Sequence, residues 1–528
     1  MRTLGRGRQA IVVVGLGYGD ESKGATVDYL ASALDDTVAV VRWSGGAQAA
    51  HNVRHGPRHH TFRQFGSASL LDVRTILRAP MLVNPLLLDT EADELAALGV
   101  HDPLGLVAAD PACLVTTPIH AAMNRAREIL RGAARHGSTG LGIGETVAYD
   151  LAVRSRARRG DVVGNFPCPA DAPAVPALRV GDLRDRKATI AALDALAAFA
   201  EPLLGLVDMA GSIGFDTDTR LAPRGPAQPA ESSGLAHPAE SSGLAHPLVE
   251  PGPRAKRRAR VETNEPNHQD LPAIDDLADR LMAVTREIEI LDDADRALGA
   301  ALDAGTVIFE GSQGVLLDEW HGFHPHTTWA TVTPRHLVAE LEAAGRDPYV
   351  LGLTRPYATR HGAGPMPTED PALELPEPDN GPGLYQGSWR VGHLDLPALR
   401  YASKVAGRVD GVGVSHLDLL PGSAKWPVTG DAGRATLHVA RSWSGDRDPL
   451  VLPGQRELDA LEALTARAFD ARPDLEPLPE GEGEVLGLIA DAVGAPVILT
   501  AHGPQRSDRR LAGDAGGVGP VRSADRNQ

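Results

Sequence analysis

Residues 11–30 run IVVVGLGYGDESKGATVDYL, an apolar segment that passes into a glycine-rich turn and then into a helical pattern. An apolar run bounded by glycine is typical of a strand buried in a parallel sheet. Glycines at a strand-to-helix turn let backbone N–H groups approach an anion, and the dipole of the following helix favours negative charge there. Lys23 adds a point charge for phosphate groups. The segment therefore predicts a P-loop-like phosphate loop in an α/β fold.

This loop differs from the two common nucleotide fingerprints. Ser22 precedes Lys23 and Gly24 follows it, so the GxxxxGK[ST] pattern is not matched, and Asp20 occupies the third glycine position of GxGxxG. A glycine-rich turn carrying a solvated acid pair is the alternative that involves no ligand. An acid inside a phosphate loop repels phosphate unless it binds Mg²⁺ or handles a proton, so Asp20 is a candidate for both roles.

Similar apolar runs recur along the chain and alternate with helical patterns. The runs cover residues 11–15, 38–43, 306–310, 350–354, 412–414 and 497–500. Residues 274–291 show the helical pattern, with apolar side chains three and four residues apart. Strands that alternate with helices predict an α/β architecture with a central, mostly parallel sheet flanked by helices.

The charge balance limits the classes of partner. The 528-residue chain has 52 Lys and Arg against 69 Asp and Glu, a formal net charge of −17, which argues against a surface for nucleic-acid polymers or anionic membranes. Two cysteines, Cys113 and Cys168, exclude a disulfide framework and a zinc site built of cysteines. The first apolar run is too short for a signal peptide, and no segment reaches about 18 uninterrupted apolar residues. We expect a soluble, cytoplasmic protein that does not bind membranes.

One segment breaks the alternation of strands and helices. The nine residues PAESSGLAH at 229–237 are repeated unchanged at 238–246, and the basic run RAKRRAR follows at 254–260. Such a composition cannot bury enough apolar surface to fold, so residues 216–268 are predicted to be a disordered insertion. The basic run is interpreted as solvated charge in a linker rather than as a docking patch. Residues 10–215 and 269–512 are then expected to form one catalytic domain, with flexible tails at 1–9 and 513–528.

Further landmarks follow the phosphate loop in a fixed order. They are GGAQAAHN at 45–52, MLVNP at 81–85, TPIH at 117–120, GSTGLGIG at 137–144, FEGSQGVLLD at 309–318, TRHGAGPMPTE at 359–369, RVGHLD at 390–395, SHLD at 415–418 and TAHGP at 500–504. Together with GDESKG at 19–24, this series resembles the adenylosuccinate synthetase family, whose motifs include GDEGKGK, GGxNAGHT, EGxQG and TRVGxGPFPTE. The resemblance covers the chain apart from the insertion and the tails.

The resemblance implies an activity and a set of partners. A base removes the N1 proton of IMP, O6 attacks the γ-phosphate of GTP, and the amino group of L-aspartate displaces phosphate at C6. GTP is then a co-substrate, Mg²⁺ the cofactor, and a homodimer the expected assembly. The fold implied is a single large domain with a central, mostly parallel sheet and smaller excursions.

The resemblance also implies roles for individual residues. Asp20 matches the base and a Mg²⁺ ligand, the carbonyl of Ala50 completes the metal shell, and His51 matches the group that stabilises the transferring phosphoryl. The matches for GTP binding are Gly19, Lys23, Gly24, Ser415, Asp418 and Gly503, with Asp418 reading guanine. The matches for the purine nucleotide are Gln48, Ser138, Thr139, Arg154, Gln313 and Thr331. Either Arg154 or Arg156 would reach across the dimer interface, and a turn role is the alternative for Thr331.

Several positions depart from the family pattern. The aspartate-binding loop, approximately GxTTGRxRR, is GLYQGSWRVG at 383–392, where Arg390 remains and Trp389 replaces an arginine. Because an indole does not replace bidentate guanidinium contacts, a different amine donor, or capture of aspartate by Arg390 together with Arg360, stays open. His416 replaces the lysine of TKLD, and Ala25 replaces the second lysine of the first loop.

Three histidines in the 319–333 segment leave a further choice open. His321, His324 and His326 stand in a stretch where the family has none of them, and a metal site or a remodelled purine pocket would account for them. Their irregular spacing favours the remodelled pocket. Two alternatives to the default function follow: the same chemistry on another acceptor or donor in a specialised pathway, or an inactive nucleotide-binding paralogue, against which Asp20 and His51 argue.

Deletion of residues 220–262 is expected to leave the thermal midpoint and the catalytic activity unchanged, because the segment is predicted to bury no core. Thermal unfolding and a turnover assay on the deleted and full-length chains measure both quantities. A chain that no longer folds after the deletion would show that the insertion is structural.

Overall fold

The computed structural model describes residues 4, 8–132, 135–155, 175–212, 271–373, 375, 377, 379–381, 386–420, 436–454 and 457–512, with only the backbone for 155 and 208–212. The predicted insertion at 216–268 and the tail at 513–528 lie outside these residues, as do Cys168 and Arg156. The predictions made for them therefore remain predictions.

The α-helices of the described residues range from nine to 27 residues in length. They are α1 Lys23–Ala33, α2 Pro85–Ala97, α3 Pro118–Arg131, α4 Ile143–Ser155, α5 Arg186–Ser212, α6 Ile274–Thr285, α7 Ala294–Ala304, α8 Arg335–Ala343, α9 Leu396–Ala406, α10 Leu458–Phe469 and α11 Glu482–Val493.

The strands range from two to nine residues in length. They are β1 Ala10–Gly15, β2 Thr37–Arg42, β3 His51–His55, β4 Arg58–Phe62, β5 Arg74–Leu77, β6 Leu82–Val83, β7 Val107–Ala109, β8 Leu114–Val115, β9 Glu289–Ile290, β10 Thr306–Gly314, β11 Tyr349–Thr354, β12 Ala358–His361, β13 Trp389–Gly392, β14 Leu394–Asp395, β15 Gly411–Val414, β16 His438–Trp443, β17 Pro473–Pro477, β18 Val497–Ala501 and β19 Arg509–Leu511.

Ten strands form one sheet in the order β19-β18-β15-β11-β1-β10-β2-β5-β7-β9. Neighbours in it are parallel, except that β19 runs antiparallel to β18. The sheet interleaves strands from both sides of the predicted insertion, since β10 lies between β1 and β2. The predicted fold class, an α/β domain with a mostly parallel central sheet, is confirmed, and all six apolar runs lie in this sheet.

Strand β1 shows why the apolar runs became central strands. Every residue of β1 is buried, and successive side chains enter different cores. Val12 and Val14 pack in the cluster under α9 and α11, whereas Ile11 and Val13 pack in the cluster under α1. A strand covered on both faces needs continuous rather than alternating apolar residues, and β-branched residues suit the extended backbone.

The predicted helix at 274–291 is too long. Helix α6 ends at Thr285, and the chain turns to add β9 to the edge of the sheet beside β7. Ile288 and Leu291 lie beyond the helix end and are nevertheless buried, because this segment packs against the core on its way to and from β9. Tertiary packing produced the same periodicity as a helix would.

Helix α5 is long and apolar enough, by length and composition, to cross a membrane over Arg186–Val207. Such a single helix is weak evidence of membrane insertion, because core helices pass the same test. Leu193, Leu196 and Ala200 of its inner face are buried in the cluster shared with α3 and α6.

The parallel strands all end at one edge of the sheet, the edge at which α/β folds bind ligands. The segments at this edge are 15–24 after β1, 43–50 after β2, 311–314 at the end of β10, 355–357 after β11, 415–418 after β15 and 502–504 after β18. These segments contain most of the predicted site residues, so sheet topology brings together motifs that are hundreds of residues apart.

The start of α3 buries a histidine without a charge partner. His120 Nδ1 accepts a hydrogen bond from the backbone N–H of Thr117 (3.1 Å), and its Nε2 is buried with no hydrogen-bond partner. Burial lowers the pKa of His120 to about 3. The folded chain therefore keeps this imidazole neutral at pH values where the unfolded chain protonates it.

Stability is expected to depend on His120 between pH 6.5 and pH 3. In this range the unfolded state binds a proton that the folded state does not, so the free energy of unfolding falls as the pH falls. The slope from one group is at most about 1.4 kcal/mol per pH unit. Urea unfolding of wild type and His120→Asn from pH 7 to pH 5 measures it, and the variant should lose less stability. Parallel curves would contradict the assignment.

Candidate active site

The glycine loop after β1 surrounds a carboxylate of the protein itself. Glu21 Oε1 accepts the backbone N–H of Gly19 at 2.9 Å, and Lys23 Nζ lies 3.5 Å from Glu21 Oε2. A Cβ on Gly15 would stand 2.0 Å from Glu21 Oε2, and one on Gly17 would stand 2.3 Å from Oε1. Glu21 is buried, so it is a structural acid and not a solvated one. The glycines leave room for this internal anion.

Ser22 begins α1 in the left-handed region, with φ of 61°. This is the position at which the family motif GDEGKGK has glycine, and a residue with a Cβ is strained there by about 1 kcal/mol. The strained turn directs Asp20 and Lys23 to different sides of the loop. Lys23 is buried and donates to the carbonyl of Gly19 at 2.7 Å, so it braces the loop that it was predicted to equip for GTP.

Asp20 lies at the open side of this loop, against β12. Its Oδ2 accepts a hydrogen bond from Thr359 Oγ1 at 3.3 Å and lies 3.7 Å from His361 Nε2. Its backbone carbonyl accepts from the guanidinium of Arg355. The carboxylate is about one-fifth exposed, so it is accessible from solvent while its position is fixed by β12.

A buried set of polar side chains supports Asp20 from behind. Glu377 accepts from Arg355, from Tyr357 Oη (2.5 Å) and from Asn380 Nδ2 (2.8 Å). Although burial raises the pKa of Glu377, Arg355 and the other donors outweigh it and lower the pKa. Glu377 is therefore ionised and anchors the arginine that holds the Asp20 backbone.

Two amide side chains near the loop have buried atoms without partners. Both amide atoms of Gln48 and the Oε1 of Gln313 are buried and make no hydrogen bond with the described residues. Gly45 brings the two segments together, because a Cβ there would stand 2.5 Å from Ser312 Oγ and 3.1 Å from Gln48 Nε2. An unpartnered buried amide costs about 1–3 kcal/mol. Both residues were predicted to bind the purine nucleotide, which would supply the missing partners.

His51 is held by acceptors at both ring nitrogens. Nδ1 lies 2.5 Å from Glu310 Oε1, and Nε2 lies 3.0 Å from the carbonyl of Ser312. Only the doubly protonated imidazolium donates from both nitrogens. Burial lowers the pKa of His51 and outweighs the Glu310 carboxylate, so the pKa lies below the ordinary value of an imidazole. For the Glu310 carboxyl, burial raises the pKa, but the positive charges of Arg42 and His51 outweigh burial and hold the pKa at about 2.

His51 is also packed against the phosphate loop. A Cβ on Gly24 would stand 2.5 Å from His51 Cβ, so the backbone of Ala50 and His51 runs directly beside the start of α1. Asp20 and the Ala50 carbonyl both offer oxygen, the donor type that Mg²⁺ prefers, and Mg²⁺ commonly takes one or two carboxylates plus substrate phosphates. These residues fit a Mg²⁺ ion held largely by nucleotide phosphates.

The strand ends of β15 and β18 form the other side of the site. His416 Nε2 accepts from Arg355 Nη2 at 3.4 Å, so its Nδ1 carries the proton and donates to Ser415 Oγ at 3.0 Å. Burial, followed by Arg355, lowers the pKa of His416 to about 3, so a neutral imidazole replaces the lysine of the family motif. Asp418 lies near His502. The hydrogen bond between His502 and Glu482 raises the pKa of His502, and the negative charge of Asp418 adds to this effect. Gly503 follows on the same segment.

The 137–144 loop approaches the site between α3 and the segment after β12. Ser138 Oγ bonds Asn124 Nδ2 at 3.0 Å, while Thr139 is exposed. A Cβ on Gly137 would stand 2.9 Å from the carbonyl of Gln386. Arg154 lies in the last turn of α4, where it is exposed and pairs with Asp150 at 2.6 Å. Its predicted role across a dimer interface remains a prediction.

The 318–333 segment is organised by hydrogen bonds rather than by a metal. Asp318 accepts from His321 Nδ1 at 2.8 Å, His326 packs edge-on against Phe469, and Thr331 donates to Glu319 at 2.5 Å. Within the described ranges, no three His, Cys, Asp or Glu side chains gather to hold a metal. The metal reading of the histidine trio is wrong for this part of the chain, whereas the predicted purine-binding role of Thr331 remains a prediction.

The predicted donor-binding role of Arg360 does not fit the structure. Its side chain is 1% exposed, and its guanidinium donates to the carbonyls of Ala363 (3.0 Å), Pro365 (3.1 Å) and His326 (2.9 Å). The ring of Tyr18 covers it at 4.5 Å. Arg360 supports the 363–365 turn from inside, since all three guanidinium nitrogens are used.

Arg390 is also engaged within the protein. Its Nη1 donates to Glu369 Oε2 at 2.6 Å and its Nη2 to the carbonyl of Gly364 at 2.7 Å. Arg360 faces Arg390 across the β12–β13 ladder, and Trp389 faces His361. Trp389 Nε1 is buried without a hydrogen-bond partner.

Sequence reasoning missed His361, Arg355 and Glu377 as neighbours of Asp20. A signal for His361 was present, because the motif TRHGAGPMPTE has histidine where the family pattern TRVGxGPFPTE has valine. Glu377 lies between motifs, and nothing in its surrounding sequence connects it to Asp20.

A parallel sheet whose strand ends gather a phosphate loop, an accessible acid and unpartnered amides defines an α/β nucleotide-binding enzyme fold. The family model of adenylosuccinate synthetase matches residues 12–209 and 254–510. The chain therefore belongs to the adenylosuccinate synthetase family, whose members are ligases of purine biosynthesis that use GTP and Mg²⁺.

Curated relatives match over nearly the whole chain. An adenylosuccinate synthetase of Acidithiobacillus ferrooxidans is 31% identical over 95% of this chain and 98% of its own length. One of Marinomonas sp. (strain MWYL1) is 28% identical over 94% of this chain and 97% of its own length.

Two solved structures share the fold. The fully ligated adenylosuccinate synthetase of Plasmodium falciparum has a TM-score of 0.62 at 16% identity and covers 96% of this chain and all of its own. Succinoaminodeoxyadenylate synthetase of cyanophage S-2L, bound to dGMP and to dATP as an energy donor, has a TM-score of 0.50 at 15% identity, with 96% of both chains covered.

Replacing Gln48 by methionine should stabilise the fold and weaken nucleotide binding. Methionine is similar in size and leaves no polar atom unpaired, so the free energy of unfolding should rise by about 1 kcal/mol. The affinity for purine nucleotide should fall at least about tenfold, the usual effect of losing a hydrogen bond to a charged group. Urea unfolding and isothermal titration measure the two effects.

Gln64 provides the matched control for this prediction. It is fully buried, its Nε2 donates to the carbonyl of Asn84 (2.9 Å), and its Oε1 accepts the Asn84 N–H (2.7 Å). Gln64→Met should therefore destabilise the chain by about 1–3 kcal/mol. If Gln48→Met destabilises to the same extent, the interpretation of Gln48 as a ligand-binding amide is wrong.

Proposed function

We propose that the chain is a GTP-dependent ligase that activates O6 of a purine nucleotide by phosphoryl transfer and joins an amine at C6. IMP and L-aspartate are the default acceptor and donor. The observation that carries the proposal is the placement of Asp20, an accessible carboxylate anchored at the rim of a phosphate loop whose neighbours are the unpartnered amides of Gln48 and Gln313.

In the first step Asp20 accepts the N1 proton of the purine. The electrons of the N1–H bond make O6 nucleophilic, O6 bonds the γ-phosphorus of GTP, and GDP leaves with the bridging oxygen. His51 is the group proposed to stabilise the transferring phosphoryl, and the contact between its Nδ1 and Glu310 Oε1 fixes the orientation of the ring. Pure nucleotide binding would require neither Asp20 nor the His51–Glu310 pair.

In the second step the amino group of the donor attacks C6, and the phosphoryl group leaves as inorganic phosphate. The ring aromaticity lost on attack is restored when the C6–O6 bond breaks, and the amine releases a proton. Activation as a phosphate is required because a purine oxo group is a poor leaving group. The product carries a new carbon–nitrogen bond, which is the chemistry of the ligases in this family.

The nucleotide phosphates would be met by the loop and by Mg²⁺. Asp20 and the carbonyl of Ala50 would hold Mg²⁺, which neutralises charge on the phosphoryl groups when bound. Gly19, Lys23 and Gly24 present the N–H groups and the ammonium group nearest to that position. Ser415, Asp418 and Gly503 line the opposite strand ends, and Asp418 can accept both the N1–H and the 2-amino group of guanine.

A second candidate keeps the chemistry and changes the acceptor or the donor. Trp389 occupies an arginine position of the family's aspartate loop, and both Arg360 and Arg390 are engaged within the protein. The pocket therefore offers fewer free guanidinium groups to a dicarboxylate. The cyanophage enzyme that shares the fold binds dGMP and dATP, so other purine nucleotides suit this architecture.

A panel assay tests both candidates. The protein is incubated with Mg²⁺, with GTP or ATP, with a series of purine nucleotides, and with or without aspartate or other amines, and products are identified by mass. A succinyl adduct on IMP supports the default, and turnover with another pair supports the second candidate. Nucleotide binding without turnover in every combination would indicate an inactive paralogue. A cytoplasmic homodimer is part of the proposal, and sedimentation tests the dimer.

Asp20→Asn should abolish phosphoryl activation while nucleotide binding remains measurable. The amide cannot accept the N1 proton, so kcat should fall by about 10²–10⁴-fold. Asp474→Asn, an exposed acid hydrogen-bonded to Ser442, serves as the control and should keep full activity. Full activity in Asp20→Asn would exclude Asp20 as the base.

A further inference from the structure

His361 is the imidazole of β12 that lies beside the proposed base. Its Nε2 is 3.7 Å from Asp20 Oδ2 and 3.3 Å from Asn380 Oδ1. Its side chain is about one-quarter exposed, so it borders the same opening as the Asp20 carboxylate. The position is a departure from the family pattern, in which valine could make neither contact.

The neighbouring hydrogen bonds determine which ring nitrogen carries the proton. Asn380 Nδ2 donates to Glu377 Oε2 at 2.8 Å, which fixes the amide so that Oδ1 faces His361. An oxygen acceptor at Nε2 requires that Nε2 be protonated. The N–H of His361 therefore faces two oxygens, Asn380 Oδ1 and Asp20 Oδ2, and a movement of about 0.5 Å brings the second within hydrogen-bond range.

Thr359 and His361 act on the same carboxylate oxygen. They are two residues apart in β12 and so lie on one face of the strand. Thr359 Oγ1 donates to Asp20 Oδ2 at 3.3 Å, and His361 Nε2–H approaches that oxygen from the next position along the face. With Oδ2 held from β12, the plane of the carboxylate is set and Oδ1 is the oxygen left to face a substrate.

The imidazole is itself held in place through a closed chain of contacts. Asn380 holds His361, Glu377 holds Asn380, and Arg355 pairs with Glu377 while it donates to the Asp20 carbonyl. Arg355 and Glu377 are both almost fully buried, which limits their movement. The same network therefore fixes the backbone and the side chain of Asp20.

We propose that His361 is a positioning residue for Asp20, which aims the carboxylate at the N1 proton of the purine acceptor. The inference deepens the proposed function and rests on it. His361 transfers no proton in this role; its Nε2–H remains a hydrogen-bond donor to Oδ2 while Oδ1 accepts the substrate proton. Misplacing a reacting group by about 1 Å can cost on the order of 10²-fold in rate, so orientation of the base should be visible in kcat.

The test compares His361→Val, which removes the donor, with His361→Gln, which keeps an N–H group of similar reach. His361→Val should lower kcat at least tenfold, leave KM for GTP and for the acceptor within about threefold, and retain the wild-type thermal midpoint. His361→Gln should recover most of kcat. His438→Val is the control and should match wild type, because the half-buried His438 of β16 contacts the carbonyl of Thr436 and the ring of His393.

A double-mutant cycle with Asp20→Asn separates positioning from a general loss of structure. If His361 acts through Asp20, adding His361→Val to Asp20→Asn should cost little further activity, whereas equal losses in both backgrounds would overturn the inference. Wild-type kcat in His361→Val, or a change confined to KM, would also overturn it. If His361→Val does not fold, a His361→Gln variant that folds but loses activity to the level of Asp20→Asn excludes the role.

The activity of the wild-type protein separates failure of the proposed function from failure of this inference. Inactive wild-type protein would reject both, while active wild type with an unaffected His361→Val would reject the inference alone.

Discussion

The site depends on a backbone contact between the end of β10 and the phosphate loop. A Cβ on Gly314 would stand 2.0 Å from the carbonyl oxygen of Gly17 and 2.6 Å from the nitrogen of Gly19, so only glycine allows the two segments to meet. The same strand carries Glu310, which holds His51, and Gln313, whose amide oxygen has no partner. Because these residues follow one another in one extended strand, the contact at Gly314 places all of them relative to the loop.

The phosphate loop is organised around a carboxylate of the protein itself, that of Glu21. Gly15 and Gly17 surround its two oxygens, and Lys23 approaches the same carboxylate at 3.5 Å. This internal anion accepts the N–H of Gly19 and lies beside the ammonium group of Lys23, so it holds the loop in shape. Asp20 is thereby left outside the cradle, where a carboxylate can meet a base proton or a cation. Asp20 and Glu21 can therefore both belong to a phosphate loop, because Glu21 lies inside the loop and Asp20 lies at its open side.

The sequence was sufficient to predict six of the ten strands of the central sheet, but not the use of individual charged groups. Apolar runs such as 350–354 became buried parallel strands because continuous apolar residues suit a strand that is covered on both faces. Arg360 was predicted to bind the donor in place of the arginines that the aspartate-binding loop lacks. In the structure its guanidinium donates instead to carbonyls of the turn that follows it and of a segment 34 residues away. A linear pattern does not show such contacts. Glu377 was missed for the same reason.

The two departures at 361 and 389 are coupled by strand register. Directly opposed residues in an antiparallel pair share a face, so the β12–β13 pair presents Arg360 and Arg390 on one face, and His361 and Trp389 on the other. The arginine face is occupied by backbone carbonyls and Glu369, whereas the other face borders Asp20. An arginine at 389 would place a guanidinium beside His361, where it could compete for the Asp20 carboxylate. Tryptophan removes that competitor, so the imidazole N–H and the Thr359 hydroxyl remain the donors that β12 directs at Asp20 Oδ2.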